Sequence, residues 1–222
     1  DREISGEYCF PREPVHEEKI TFRDLSEYEN VDFQGFRGDI YVKEAIIPEG
    51  ASVIPKSQFF ECRSLEKVYL PESVSGIEDY AFADCHVLKV WESIEKLSLK
   101  SVGISAFENC YALEFVSLPD SLTVIGGAAF AECVSVNKLI FSDTSLLKKI
   151  GDHAFRGCRN LKEVYLPDSV EYVGVSAFRD CSSLEQISVS EKIKNQPGIA
   201  ELEKNCPNAR IRFREVNSVE KE

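Results

Sequence analysis

Seven of the eight cysteines recur at a nearly fixed interval, and this interval constrains the fold more than any other feature of the sequence. They stand at positions 62, 85, 110, 133, 158, 181 and 206, so that successive cysteines are separated alternately by 23 and 25 residues. A fixed period of this length indicates repeated structural units. The sequence therefore predicts a chain built from stacked coils.

Six of these cysteines stand within a longer apolar motif. A phenylalanine precedes the cysteine by three residues, usually with alanine before it, and an aliphatic residue follows the cysteine by three residues. Two further apolar positions complete the string A-F-x-x-C-x-x-L-x-x-V-x-L in most coils. Its last four positions alternate with the period of two that is typical of a β-strand. The motif phenylalanines are Phe59, Phe82, Phe107, Phe130, Phe155 and Phe178.

Proline and glycine mark where the predicted strand ends and where the chain bends back. Pro71, Pro119 and Pro167 directly follow a strand, and proline cannot continue a hydrogen-bonded ladder. Further along, an aliphatic-glycine step such as Ile150–Gly151 is predicted to be a turn, because glycine permits backbone conformations that other residues resist. The 25-residue coils lack the proline step. Their two additional residues are predicted to form a ridge after the strand on every second coil.

The repeat extends beyond the cysteines towards both termini. Phe36 to Asp39 fits the motif with aspartate in the cysteine position, and Ile20 and Phe22 fit the strand positions one coil earlier. Ala209, Ile211 and Phe213 fit a last, shifted strand. This gives about nine coils, whose parallel strands, ~4.8 Å apart, would form a sheet roughly 40 Å long.

A capping helix and the domain limits follow from the same register. Residues 196–205, with Pro197 near their start, are predicted to form the short helix with which a stack of repeats ends. We therefore divide the chain into an acidic N-terminal cap segment (1–35), the repeats (36–195) and a C-terminal capping coil and tail (196–222).

The string I-G-x-x-A-F-x-x-C-x-x-L-x-x-V-x-L-P resembles the BspA-like leucine-rich repeats, over roughly residues 36–213. The resemblance implies an α/β fold, a leucine-rich-repeat solenoid with a curved parallel β-sheet and short helical or irregular turns on its convex side. It also implies a family of mostly secreted or surface-attached microbial proteins that act as adhesins or interaction scaffolds. It does not identify the ligand.

The third and fifth positions of L-x-x-V-x-L are predicted to point outward from the sheet and to form the ligand-binding face. Several of them are more apolar than a surface without function requires, and exposed aromatic residues are typical of protein interfaces. The alternative is that strands favour such residues in any case. The predicted ligand-binding residues are Tyr69, Val90, Phe115, Ile140 and Tyr165.

The regularly spaced cysteines are predicted to be buried, reduced thiols. Equivalent cysteines of neighbouring coils would stand about 5 Å apart, within the range of a disulfide, but their parallel side chains would point the same way. A zinc site needs four converging ligands, which such a file does not supply, so we expect no metal site. Cys9 lies outside the pattern and is the odd thiol.

The sequence carries no catalytic signature. His16, His86 and His153 are scattered and are interpreted as satisfied surface residues, and no phosphate-binding loop or nucleophile motif occurs. We therefore expect no catalytic residues, no cofactor and no enzymatic activity. A hydrolase or transferase with an unrecognised site is the least favoured alternative.

One tripeptide has a second interpretation. Arg37-Gly38-Asp39 spells the integrin-binding sequence, but Phe155-Arg156-Gly157-Cys158 is the same string with cysteine in place of aspartate. The repeat therefore accounts for the tripeptide, and we do not expect it to bind integrin.

The net charge of -12 argues against nucleic acid and anionic lipid as partners. Residues 1–35 contribute half of that charge and could contact a basic partner. No apolar run is long enough to span a bilayer, so we expect no membrane insertion. Because the chain lacks methionine, Asp1 is expected to be the start of a mature or trimmed form.

These features favour a non-enzymatic binding module that holds a protein or glycan through its sheet face. The resemblance favours an extracellular or cell-surface location, and the reduced thiols leave a cytoplasmic interaction scaffold as the alternative.

Overall fold

The computed structural model describes residues 3–4, 19–22, 36–92 and 98–215. Each of the six coils from β3 to β14 contains two short parallel strands, which belong to two different sheets. We call them the front sheet, which carries the L-x-x-V-x-L string, and the back sheet. The front strands are β1 (Glu3–Ile4), β2 (Lys19–Phe22), β3 (Glu44–Ile46), β5 (Lys67–Tyr69), β7 (Val90–Glu92), β9 (Phe115–Ser117), β11 (Lys138–Ile140), β13 (Glu163–Tyr165), β15 (Gln186–Ser190) and β16 (Arg210–Arg214).

The back sheet contains six strands of two residues each. The aliphatic residue of each predicted turn lies in this sheet, and the chain turns from the glycine that follows, so the prediction was wrong for the aliphatic residue only. The backbone there is extended and pairs in register with the next coil, as Ile125 pairs with Ile150. The back strands are β4 (Val53–Ile54), β6 (Gly76–Ile77), β8 (Ser101–Val102), β10 (Val124–Ile125), β12 (Lys149–Ile150) and β14 (Tyr172–Val173).

The glycines that follow the back strands are required by close packing between coils, not by a left-handed backbone. A Cβ on Gly126 would lie 2.5 Å from the carbonyl carbon of Gly103, and a Cβ on Gly151 would lie 2.5 Å from the amide nitrogen of Gly127. No side chain fits at such a separation from a neighbouring backbone. Glycine here sets how closely successive coils approach.

The coils of 23 and 25 residues differ in the length of one segment. The connection from front strand to back strand contains six residues between β9 and β10 (118–123) but eight between β11 and β12 (141–148). The corner, from back strand to the next front strand, contains twelve residues in both coils (126–137 and 151–162). The two additional residues therefore lie after the front strand, as predicted, and residues 142–144 are exposed there.

Among the described strands the front sheet is in two parts, whereas one continuous sheet of about nine strands was predicted. One part has the order β1-β2-β3-β5-β7, and the other has the order β16-β15-β13-β11-β9. The described strands of both parts number ten, because β1 adds a strand that the sequence did not predict. Ile20 of β2 pairs in register with Ala45, which confirms the weak repeat seen before Phe36.

The core contains files of identical side chains that run along the stack. The rings of Phe59 and Phe82 are stacked with centroids 5.2 Å apart and planes 4° apart, and Phe107 and Phe130 repeat this geometry at 5.2 Å and 2°. Phe36 begins the file, 5.9 Å from Phe59. The motif cysteines, alanines and leucines are buried beside it. The predicted stacking of equivalent coils is therefore confirmed.

Each corner contains residues with a left-handed backbone on either side of the phenylalanine. In the coil of Phe82 these are Tyr80 and Asp84, with φ of 59° and 61°. Such a conformation costs an L-residue about 1–2 kcal/mol. It lets alternate N–H groups point along the stack, so that Tyr80, Phe82 and Asp84 donate to carbonyls of the next coil at 2.8–2.9 Å. The corner thus forms a third line of hydrogen bonds between coils.

The last coil replaces its corner with helix. A 3₁₀ turn (Glu191–Ile193) is followed by α1 (Pro197–Ala200) and α2 (Leu202–Asn205), and Pro197 occupies the first helical position. The predicted capping helix is confirmed, as two short helices instead of one. Ile199 and Leu202 are buried against the preceding coil. These are the α-helices of the described chain, so the turns on the back side of the other coils are not helical.

Candidate functional site

The outward positions of the front sheet line up in files, because every strand pair is parallel and in register. Phe115 of β9 stands beside Lys138 of β11, which stands beside Glu163 of β13. Tyr165 stands beside Ser188. In β9, β11 and β13 the middle residue is buried and the flanking residues are exposed or half-buried, as predicted.

Three of the five predicted ligand-binding residues form one exposed group. Phe115, Ile140 and Tyr165 lie on consecutive strands with 39%, 38% and 48% of their surfaces exposed. Ile140 and Tyr165 occupy equivalent positions of neighbouring strands, and Phe115 stands one strand further and two residues earlier. The phenolic oxygen of Tyr165 accepts a hydrogen bond of 2.8 Å from Nε2 of Gln186, which fixes the ring. We call these three residues the apolar strip.

The other two predicted residues lie in the other part of the front sheet. Tyr69 is half-buried on β5, between Ile46 and Glu92 in its file. Val90 begins β7 and pairs in register with Lys67, and its side chain lies outside the described residues. The structure therefore joins three of the predicted residues and separates two from them by the interruption between β7 and β9.

The last front strand adds charged side chains that the sequence did not select. Arg210, Arg212 and Arg214 of β16 stand beside Gln186, Ser188 and Ser190 of β15. Nη2 of Arg214 reaches across β15 to the carbonyl oxygen of Leu166 and, at 2.8 Å, to Oδ1 of Asp168. The alternation of arginine with apolar residues in R-I-R-F-R is the sequence pattern that could have identified these outward arginines.

The motif cysteines all make one repeated contact. The Sγ of each donates to the carbonyl oxygen of the phenylalanine one coil earlier, for example Cys110 to Phe82 at 3.2 Å and Cys133 to Phe107 at 3.1 Å. The same Phe82 oxygen accepts the amide of Cys85 at 3.3 Å, so that it binds one donor from each coil. All seven motif cysteines are free and buried. This confirms the prediction of buried thiols, whereas Cys9 lies outside the described residues.

Burial determines the chemistry of these thiols. Desolvation raises the pKa of Cys85, Cys110 and Cys158 well above the ordinary value, and neighbouring thiols in the file raise it further. At the C-terminal end of the file, burial raises the pKa of Cys206 to about 11. A thiol held in its neutral form is neither a nucleophile nor a metal ligand.

The Arg37-Gly38-Asp39 tripeptide is held within the first corner. The amide of Gly38 donates to the carbonyl of Phe60 at 2.8 Å, and the Arg37 guanidinium lies 4.7 Å from the centre of the Phe60 ring. Oδ1 of Asp39 accepts the backbone amides of Tyr41 and Val42 at 2.7 and 3.0 Å. The Asp39 carboxylate thus binds backbone amides of its own coil, in the motif position that cysteine occupies in later coils.

The two histidines in the described part of the chain differ from each other. His86 is stacked on Tyr111, with ring centroids 4.7 Å apart, and its Nε2 lies 3.6 Å from Asp84. His153 is half-buried in a left-handed corner position, and its Nδ1 has no hydrogen-bond partner among the described residues. The interpretation of satisfied surface histidines therefore fits His86 and was wrong for His153.

Two surface depressions lie away from the apolar strip. One, of about 380 Å³, lies between the last corner and the capping helices and includes Ser176, Arg179 and Glu201. The other lies over the back sheet and contains Glu78 and Asp79, whose carboxylates accept the backbone amides of Lys56 and Ile104 at 2.8 and 2.7 Å. Both carboxylates thus hold neighbouring coils together.

The fold and these files define the chain as a leucine-rich-repeat solenoid. The family model for the BspA type leucine-rich repeat region matches it in six copies, over residues 3–98, 29–145 and 100–206. The chain therefore belongs to the BspA type leucine-rich repeat family, which confirms the resemblance seen in the sequence. The family is one of protein-interaction scaffolds, and its members are typically not enzymes.

Solved structures of bacterial leucine-rich repeat proteins have the same fold. A protein from Bacteroides ovatus is 22% identical with a TM-score of 0.56, over 82% of this chain and 63% of that one. The pneumococcal vaccine antigen PcpA is 29% identical with a TM-score of 0.51, over 68% of this chain and 37% of that one. The chain thus spans less than two thirds of both proteins. No curated protein sequence matches it.

No helix among the described residues is long and apolar enough to cross a membrane.

Proposed function

We propose that the protein is a non-enzymatic binding module of a microbial cell surface, which holds a protein partner through the outward face of its front sheet. The apolar strip carries this proposal, since it places Phe115, Ile140 and Tyr165 in exposed positions of three consecutive strands, with Phe115 diagonal to Ile140. Apolar residues grouped in this way supply the anchors of protein interfaces. Tyr69 and Val90 remain proposed ligand-binding residues of the N-terminal part of the front sheet, separate from the apolar strip.

A protein partner is favoured over a glycan by the composition of the strip. Its central residue, Ile140, is aliphatic, and the hydrogen-bonding groups around it are few. Glu163 and Gln186 are the polar neighbours of Tyr165, and the amide of Gln186 is already bonded to the phenol. An aliphatic centre suits an apolar side chain of a protein partner better than the hydroxyl groups of a sugar.

The surface location is supported by the similarity to PcpA, which is a vaccine antigen. The free thiols are compatible with an oxidising exterior, because each is buried and holds its proton. Labelling of intact cells with an antibody against the domain tests the location. Labelling that requires permeabilised cells would assign the protein to the cell interior.

The binding face is tested with a panel of purified extracellular-matrix and cell-surface proteins, whose binding to the domain is measured by surface plasmon resonance. The triple variant Phe115→Ser, Ile140→Ser and Tyr165→Ser is expected to lose binding by at least about tenfold, since each lost anchor contributes about 1 kcal/mol or more. The matched control replaces three exposed apolar residues outside the front sheet, Ile104→Ser, Leu146→Ser and Val175→Ser. Equal binding by the two folded variants would reject the front sheet as the interface.

A further inference from the structure

The C-terminal part of the front sheet has a charge opposite to that of the chain as a whole. The chain carries a net charge of -12. On this part of the sheet, Lys138 and Glu163 stand side by side, and Arg214 pairs with Asp168. Arg210 and Arg212 remain as the excess, so that the outward positions carry a net positive charge. The exposed Glu114, Lys162 and Glu185 directly precede β9, β13 and β15 and reduce this excess to one positive charge. Salt limits the reach of charges to about 10 Å at 0.1 M, so a ligand on this surface responds to these residues before the acidic residues of the other coils.

The two arginines lie close enough to the apolar strip for one ligand to reach both. Arg212 stands beside Ser188, and Ser188 stands beside Tyr165, so Arg212 and Tyr165 share a file two strands apart, or ~10 Å. Between them Ser188 is small and buried, so neighbouring side chains cover it. The whole surface from β9 to β16 is ~20 Å wide. We call it the basic sheet face.

The chemistry of this face selects one kind of partner. Apolar anchors on one side and arginines on the other require a ligand with apolar side chains and carboxylates within ~10 Å of each other. An extended or helical polypeptide rich in glutamate or aspartate and interspersed with aromatic or aliphatic residues meets this requirement. Arginine is favoured for such contacts because its guanidinium binds a carboxylate through two parallel hydrogen bonds.

We propose that the basic sheet face binds an acidic segment of a protein partner, whose apolar side chains contact Phe115, Ile140 and Tyr165 while its carboxylates pair with Arg210 and Arg212. The proposal rests on the function proposed above and adds the charge of the partner to it. A sulfated glycan would satisfy the arginines but not the aliphatic centre of the strip, and it serves as the competing outcome.

The test uses fluorescent peptides of alternating glutamate and phenylalanine, of alternating lysine and phenylalanine, and of alternating glutamate and serine, together with heparin as the glycan probe. At 50 mM salt the first peptide is expected to bind at least tenfold more tightly than either of the other peptides. Its affinity is expected to fall at least fivefold when the salt is raised to 500 mM. Binding of the lysine peptide with equal affinity would overturn the proposal.

Two charge-reversal variants separate the contact from a general charge effect. Arg210→Glu with Arg212→Glu is expected to weaken binding of the glutamate-phenylalanine peptide at least tenfold. The control Lys56→Glu with Arg63→Glu changes the net charge equally at exposed sites of the N-terminal coils, away from this face, and it is expected to change the affinity less than twofold. Near-ultraviolet circular dichroism and the thermal midpoint establish that both variants fold.

The outcomes distinguish this proposal from the function on which it rests. Loss of binding in the Phe115→Ser, Ile140→Ser and Tyr165→Ser variant, with no effect of the arginine reversal, would keep the front-sheet interface and reject the acidic partner. Heparin that binds more tightly than every peptide, and is unaffected by the serine variant, would reject the acidic polypeptide in favour of a glycan.

Discussion

The thiol of Cys85 donates a hydrogen bond of 3.1 Å to the carbonyl oxygen of Phe59, one coil earlier. That oxygen also accepts the amide of Cys62 from its own turn, at 3.1 Å. The contact recurs from Cys62 to Cys206, so the cysteine file ties each corner to the next while its atoms stay in the apolar core. Cysteine suits this position because it is small and apolar and still has a weak donor.

Removal of one such thiol is expected to weaken the stack. Cys133→Ala deletes the bond to Phe107 and leaves a small cavity, whereas the Phe107 oxygen keeps its bond to the amide of Cys110. We expect a loss of about 1–2 kcal/mol in the free energy of unfolding, measured by urea denaturation. Ser182→Ala, at an exposed position of a corner, is the control and should change stability by less than about 0.5 kcal/mol. A neutral Cys133→Ala would show that the thiol only fills space.

The raised pKa values of the thiols predict a steep loss of stability in alkali. In the folded state the thiols of Cys85, Cys110 and Cys158 stay protonated, whereas in the unfolded chain they ionise above a pKa of about 8.5. The contribution of these thiols to the free energy of unfolding is therefore complete below that pH and decreases as the pH rises above it. Each thiol should remove about 1.4 kcal/mol of stability per pH unit there.

Urea denaturation between pH 7 and pH 10 measures this slope. Cys110→Ala should reduce it by about 1.4 kcal/mol per pH unit, and Ser182→Ala should leave it unchanged. An identical slope in both variants would mean that lysine and tyrosine side chains cause the alkaline loss instead.

The glycines after the back strands predict a sharp contrast between two alanine substitutions. In Gly151→Ala the new Cβ would lie 2.5 Å from the Gly127 amide nitrogen, and the backbone there cannot move without separating two coils. In Gly76→Ala the nearest atom is Oγ of Ser101 at 3.6 Å, an ordinary contact. Thermal unfolding should show a loss of at least about 1–3 kcal/mol for the first and less than about 1 kcal/mol for the second. Equal effects would mean that the glycines do not set the separation of the coils.

The ridge of the longer coils predicts a local titration effect. Hydrogen bonds from the hydroxyls of Ser142 and Thr144 lower the pKa of the exposed Asp120. The interaction stabilises the fold above the ordinary aspartate pKa and is lost as the pH falls through the lowered value. Ser142→Ala with Thr144→Ala should raise the pKa of Asp120 towards its ordinary value, measured by NMR titration. An unchanged pKa would show that the two hydroxyls do not bind this carboxylate in solution.

The periodic part of the fold could be predicted residue by residue. Phe107 and Cys110 recur at a fixed offset, so their burial and stacking follow from one assumption, that the coils are equivalent. The back strands could not be predicted this way. Val124–Ile125 is too short to show an alternating pattern, and it is extended because Ser101–Val102 and Lys149–Ile150 pair with it from the two neighbouring coils.

The candidate site was predicted in part for the same reason. Side chains alternate between the two faces of a strand, and this alternation alone predicts that Phe115, Ile140 and Tyr165 point outward. Whether outward residues form one surface depends on which strands pair, and the interruption between β7 and β9 separates Tyr69 from the other three. The arginines of β16 join the site because β16 pairs in register with β15. The spacing of the repeat did not predict this register, because the last strand is shifted from the regular period.

By itself, the sequence determined the repeat, the identity of the buried files and the family to which the chain belongs, because these depend only on spacing along the chain. Tertiary structure decided the second sheet, the role of glycine and the extent of the binding surface. Each of these depends on how closely one coil approaches the next, and that distance is set by contacts between residues that are some two dozen positions apart.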